Sequence, residues 1–139
     1  MKNFYDFEAR IDLLGQGQTE ACAAASELLA LGEEMLEYWI EARGEIPGQE
    51  MREGFRLLAL HRQGACGEPS FNACRETCRE LVYHYNLITL APDHTDIARR
   101  IILAAMVAKH LCLFVSGKMA EAEIGKFCCS SRDAQAAAG

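Results

Sequence analysis

The stretch DIARRIILAAMVAKHLCLFVSG, residues 96–117, decides how the rest of the chain must be arranged. Apolar residues fall on nearly every side of a helix built from it. In a soluble protein such a helix is buried, at the centre of a bundle or at a subunit contact. Arg99 and Arg100 precede its longest apolar run, and Lys109 and His110 interrupt that run. The run falls short of the roughly 20 apolar residues that a membrane crossing needs, so no membrane span is expected.

Just upstream, Phe71, Cys74, Cys78, Leu81, Tyr85 and Ile88 recur at alternating spacings of three and four, the seam of a bundle helix. That spacing predicts a helix over 70–90 with Ser70 as its N-cap. Ala91-Pro92-Asp93 breaks the chain, and Asp93 or Thr95 can cap the central helix over 95–115. Gly117 is expected to stop it, and a short helix over 118–129 should turn Ala120, Ile124, Phe127 and Cys128 inward. Residues 130–139 show no apolar periodicity and read as a flexible tail on a single domain of residues 1–129.

Towards the N-terminus, Thr19 is expected to open a long helix over 19–43, stopped by Gly44. Leu28, Gly32, Met35, Leu36, Trp39 and Ile40 lie on its apolar stripe, and Gly32 implies a close helix approach. Glu20, Glu27, Glu34 and Glu41 repeat every seven residues on the other side, the pattern of a solvated face. A helix over 48–63 should begin with Pro47 in its first turn and end at Gly64. Before all of these, Asn3 can cap a short helix over 4–14 that lines up Phe4, Phe7, Ile11 and Leu14. The whole reads as an all-α bundle of four long helices and two short ones, with no sheet.

Composition narrows the function. Fourteen basic against twenty acidic residues leave a net charge of −6, which gives no general attraction for nucleic acid. Seven cysteines have no framework spacing, and MKNFYDFEARIDLL lacks the apolar core of a signal peptide. Free thiols in a reducing cytoplasm are expected.

Two constellations carry possible chemistry. Cys74 and Cys78 stand one helical turn apart, where two thiolates can hold a soft metal or exchange electrons. Both also occupy seam positions, which favours burial as packing groups. His61, His84 and His110 lie on three different expected helices, the way bundle metal sites are assembled. The metal candidates are therefore Cys74, Cys78, His84 and His110. Glu80 and His84 have the spacing Glu-x-x-x-His rather than the Glu-x-x-His of di-iron bundles, and His110 is expected to be buried or at an interface. Phosphate loops, nucleophile elbows and zinc-protease motifs are absent from the sequence, and no catalytic set is expected.

The leading expectation is a small non-catalytic interaction protein (an adaptor, chaperone-like protein or regulatory subunit) that self-associates and has no cofactor. Its warrant is apolar surface in excess of what a minimal bundle buries. Phe4, Phe7, Ile11, Leu103, Val107 and Phe114 are the expected interface. The alternative, from another class, is a bundle holding a transition metal or heme through His and Cys.

Overall fold

The computed structural model describes the backbone of residues 3–136 and the side chains of residues 3–122. Five α-helices follow one another: α1 (Phe4–Gly15), α2 (Ala21–Ala42), α3 (Arg56–Ala65), α4 (Arg75–Leu90) and α5 (Ile97–Ala136). A 3-10 segment, Pro69–Cys74, leads into α4. The described residues form no strand beyond an isolated bridge between Arg52 and Phe55. The fold is all-α, with α5 packed against α1, α2 and α4.

The short first helix forms as its residues require. The Asn3 side chain accepts from the Asp6 N–H at 2.9 Å, and the Asp6 carboxylate accepts from the Asn3 N–H at 3.2 Å. This reciprocal capping satisfies two donors at the helix start. Phe7, Ile11 and Leu14 are buried. Phe7 meets Phe4 and Tyr38 edge-on, with ring centroids 5.5 and 5.8 Å away. A Cβ on Gly15 would stand 3.1 Å from the Ala105 Cβ, so this glycine sets how closely α1 and α5 approach.

Glu20, not Thr19, caps α2. Its carboxylate accepts from the backbone of Cys22 at 3.0 Å and Ala23 at 2.9 Å, and these bonds hold it below the usual carboxylate range. Several acidic residues of α2 have basic partners from other elements. Glu27 pairs with Arg10, and Glu33 and Glu37 receive Arg56 at 3.5 and 2.6 Å. Gly32 lies on the buried side, where an added Cβ would meet Leu81 at 3.0 Å, Leu57 at 3.1 Å and Leu111 at 3.5 Å. Helices α2, α3, α4 and α5 converge on this one missing side chain.

Three boundaries differ from those expected. The helix foreseen over 48–63 is only Arg56–Ala65, because residues 45–55 take another course. Gly54 has φ +85°, Glu53 has φ +54°, and both conformations break a helix. Side chains bind that loop instead: Gln63 bonds Gly48 and Ile46, both at 2.8 Å, and Arg56 bonds the Gly48 carbonyl at 2.9 Å. The helix foreseen over 70–90 is α only from Arg75. Its first turn is the tighter 3-10 form, with Phe71 stacked on Trp39 at 4.8 Å and 4° between planes.

Gly117 does not end the central helix, so residues 118–129 are not a separate element. An interior glycine weakens a helix by roughly 1 kcal/mol but does not stop it, and no proline or left-handed residue follows here. Contacts beyond Gly117 hold the next turn in place. Lys118 donates to the Ser70 hydroxyl at 2.7 Å, and Met119 packs against the core. Helical backbone continues through Ala136, into the stretch read as a tail. Because the helix passes through Gly117, its Ile97–Ala122 part is long and apolar enough to cross a membrane by length and composition alone. Here that stretch packs on three other helices.

Two of the helical glycines, Gly64 and Gly117, should respond oppositely to alanine. A Cβ on Gly64 would lie 2.9 Å from the rigid Trp39 ring, so Gly64→Ala should lower unfolding stability by about 1–3 kcal/mol despite its better helix propensity. Nothing lies within 4 Å of a Cβ at Gly117, and Gly117→Ala should raise stability by about 0.5–1 kcal/mol. Urea titration of both variants checks the pair.

Candidate functional site

Trp39 and Arg43, near the end of α2, fasten the C-terminal end of α3. The Trp39 indole N–H donates to the Gly64 carbonyl at 2.9 Å. Arg43 donates to the same carbonyl and to that of Cys66, both at 2.7 Å. These carbonyls would otherwise lack partners at a helix terminus, and a cationic side chain also suits the negative end of the helix dipole. The loop 45–55, α3 and the start of α4 then enclose an open cleft of ≈ 720 Å³. Glu53 joins one wall: both its carboxylate oxygens accept from Arg79 Nη2, each at 2.9 Å.

His61 joins the cleft to the core. It lines the cleft yet is only 5% exposed, and its Nε2 lies 3.1 Å from the Phe71 carbonyl. Beneath it sit Cys74 and Cys78, both buried. The Cys74 thiol donates to the Phe71 carbonyl at 3.3 Å, and Cys74 is also within hydrogen-bonding reach of Cys78 and of His61. The contact with Cys78, helped by that with His61, lowers the Cys74 thiol below its ordinary range, and the same contact together with burial pushes Cys78 up. Sequence spacing identified the cysteine pair. It gave no reason to single out His61 from the other histidines, because its partner arrives from the far end of the 3-10 segment.

The other candidates scatter. His84 is half-buried beside Tyr83, and its Nδ1 is buried without a hydrogen-bond partner. His110 is exposed on the outer side of α5 rather than buried within the chain. Among the described residues, no group of three or more His, Cys, Asp or Glu side chains is arranged to hold a metal ion.

The expected interface residues also divide. Phe7 and Ile11 are 0% and 1% exposed within the single chain, where α1 docks on its own bundle. Phe4, Val107 and Phe114 are partly buried against the core, and Phe114 meets Phe71 edge-on at 5.6 Å. Leu103 remains 36% exposed, and it has company: Ile102, Met106 and Leu113 are 48%, 61% and 54% exposed on the same side of α5. Helical periodicity cannot show this outer stripe, because a helix apolar all round does not reveal which face its neighbours will cover.

No family model, no curated protein and no solved structure matches the chain.

Thiol access follows from these positions. Cys66 is exposed, so a thiol reagent should modify it well before Cys74 and Cys78, whose labelling should wait on opening of the fold. Mass spectrometry of partly labelled protein reads the order. Replacing Cys74 and Cys78 together with alanine should lower stability by about 1–3 kcal/mol through two small cavities, measured by denaturant titration.

His84 supplies a pH test. Burial depresses its affinity for a proton, opposed by Glu80, so the unfolded chain protonates first as pH falls. Its contribution is present above the ordinary imidazole range and is lost as pH drops through that range towards the lower folded value. The wild type should therefore lose more stability than His84→Gln between about pH 7 and pH 5. Parallel curves of urea midpoint against pH would remove His84 from this role.

Proposed function

We propose that this protein is a non-catalytic helical interaction protein that pairs with a second copy through the outer face of α5. The observation that carries this is the exposed series Leu103, Met106, His110, Leu113 and Gly117, spaced three, four, three and four residues apart. That spacing is the seam of a helix pair, and a seam left open to water favours a partner.

Charge favours an antiparallel partner of the same kind. With a two-fold axis through His110, Leu103 faces Gly117, the two being symmetric about residue 110, and Met106 comes beside Leu113 of the second copy. Arg99 then faces Glu121, eleven residues to either side of the axis. Arg99 is exposed and Glu121 has only a 3.4 Å pair with Lys118 on its own helix, so both retain charge for a partner. The open space at Gly117 allows close approach of the opposing Leu103. Such an interface is isologous, the commonest arrangement among homo-oligomers. No specific observation favours the transition-metal or heme alternative.

Sedimentation velocity tests the reading. The wild type should run as a dimer at tens of micromolar, roughly a range populated by micromolar contacts. Met106→Glu should shift it to monomer by at least tenfold in Kd without changing the helical circular dichroism, since Met106 is exposed. Arg99→Glu should weaken pairing, and adding Glu121→Arg should restore it. A wild-type monomer, or flotation with neutral lipid vesicles in place of a defined dimer, would defeat the proposal.

A further inference from the structure

The cleft between the loop 45–55, α3 and α4 reverses the charge of the molecule around it. The chain carries 14 basic and 20 acidic residues. Four arginines line this one cleft, Arg52, Arg62, Arg75 and Arg79, against two acidic residues, Glu45 and Glu50. They arrive from three places: the loop, α3 and successive turns of α4. Glu53 offsets part of this charge by pairing with Arg79 at 2.9 Å and approaching Arg52 at 3.9 Å. Among the described residues, Arg62 and Arg75 have no ion-pair partner.

Glu53 answers Arg79 and Arg52, which leaves the guanidinium groups of Arg62 and Arg75 unpaired among the described residues in the same cleft, and a bound anion would supply their counter-charge. Their planar forks match carboxylate and phosphate oxygens two at a time. Size selects among anions. A cleft of ≈ 720 Å³ lies inside the roughly 300–1,000 Å³ range of small-molecule sites. Its wall is also braced, because Gln63 and Arg56 hold the loop backbone at Gly48 and Ile46. Asn72 and His61 add polar groups to the lining, and Met51 an apolar one.

We propose that this cleft binds a small polyanion bearing phosphate or carboxylate groups, held by Arg62 and Arg75 and flanked by Arg52 and Arg79. None of its lining residues belongs to α5, so the site stands apart from the pairing face and does not depend on it.

Isothermal titration at constant ionic strength, with inorganic pyrophosphate and with citrate as separate probes, tests the proposal on the full chain. At least one should bind saturably with a Kd below about 1 mM, and which one binds assigns the phosphate or the carboxylate class. The double variant Arg62→Glu/Arg75→Glu should weaken that binding at least tenfold. Both side chains are exposed, so its thermal midpoint without ligand should match the wild type and separate lost binding from lost folding. Absence of saturable binding by either probe up to about 10 mM overturns the site. Binding by the double variant within twofold of the wild type overturns it equally. Repeating the titration with Met106→Glu should give the wild-type Kd, whatever the oligomeric state.

Discussion

One missing side chain sets the geometry of the bundle. At Gly32, leucines from α3, α4 and α5 come within 3.0–3.5 Å of where a Cβ would stand. Glycine there disfavours α2 by roughly 1 kcal/mol relative to alanine. The return is that three leucine side chains, Leu57, Leu81 and Leu111, are 0–1% exposed around a single point. Fully burying a leucine is worth about 1.5–3 kcal/mol, so packing outweighs propensity several-fold. Spreading the helices to admit a side chain would loosen all of these contacts together.

A second junction connects that core to the surface. Phe71 stacks on Trp39 and lies 5.7 Å from the His61 ring. Trp39 holds the Gly64 carbonyl, Arg43 holds it too, and Arg43 lies 5.8 Å from the Trp39 ring. Anchoring of the 3-10 segment to α2 and α3 brings Cys74 under His61, and the adjoining turns of α4 bring Arg75 and Arg79 to the cleft. The buried thiol pair is best understood as part of this junction. Its sulfurs are satisfied by Phe71, His61 and each other, so they fill apolar space without leaving a polar group unpaired.

The two surfaces left over differ in character. The outer face of α5 offers apolar side chains at seam spacing, which suits another helix. The cleft on the α3–α4 side offers arginines around a concave space, which suits a small anion. They draw their surface residues from different elements, the cleft from the loop 45–55, α3 and α4 and the stripe from α5.

Much of the architecture was legible in the residues. All-round apolarity placed 96–117 against several neighbours, the three-four spacing of Phe71, Cys74, Cys78 and Leu81 marked an inward face, and Asn3 marked a helix start. These are local signals, because period and capping depend on residues within a turn or two. Gly117, Pro47 and Ser70 misled for the same reason. Each has a local meaning, and each was overruled by partners distant in sequence: Lys118 reaching Ser70, Gln63 binding Gly48, and Trp39 stacking on Phe71. The candidate sites depended still more on distance. That Cys74 and Cys78 share a face is written in their spacing, whereas His61 beside them, the convergence of four arginines and the uncovered side of α5 exist only once the helices have packed. By itself the sequence determined the all-α class and the inward faces of its most regularly spaced stretches. Tertiary structure decided where helices end and what meets across them, because interhelical contacts outweigh the roughly 1 kcal/mol preferences that a single residue carries.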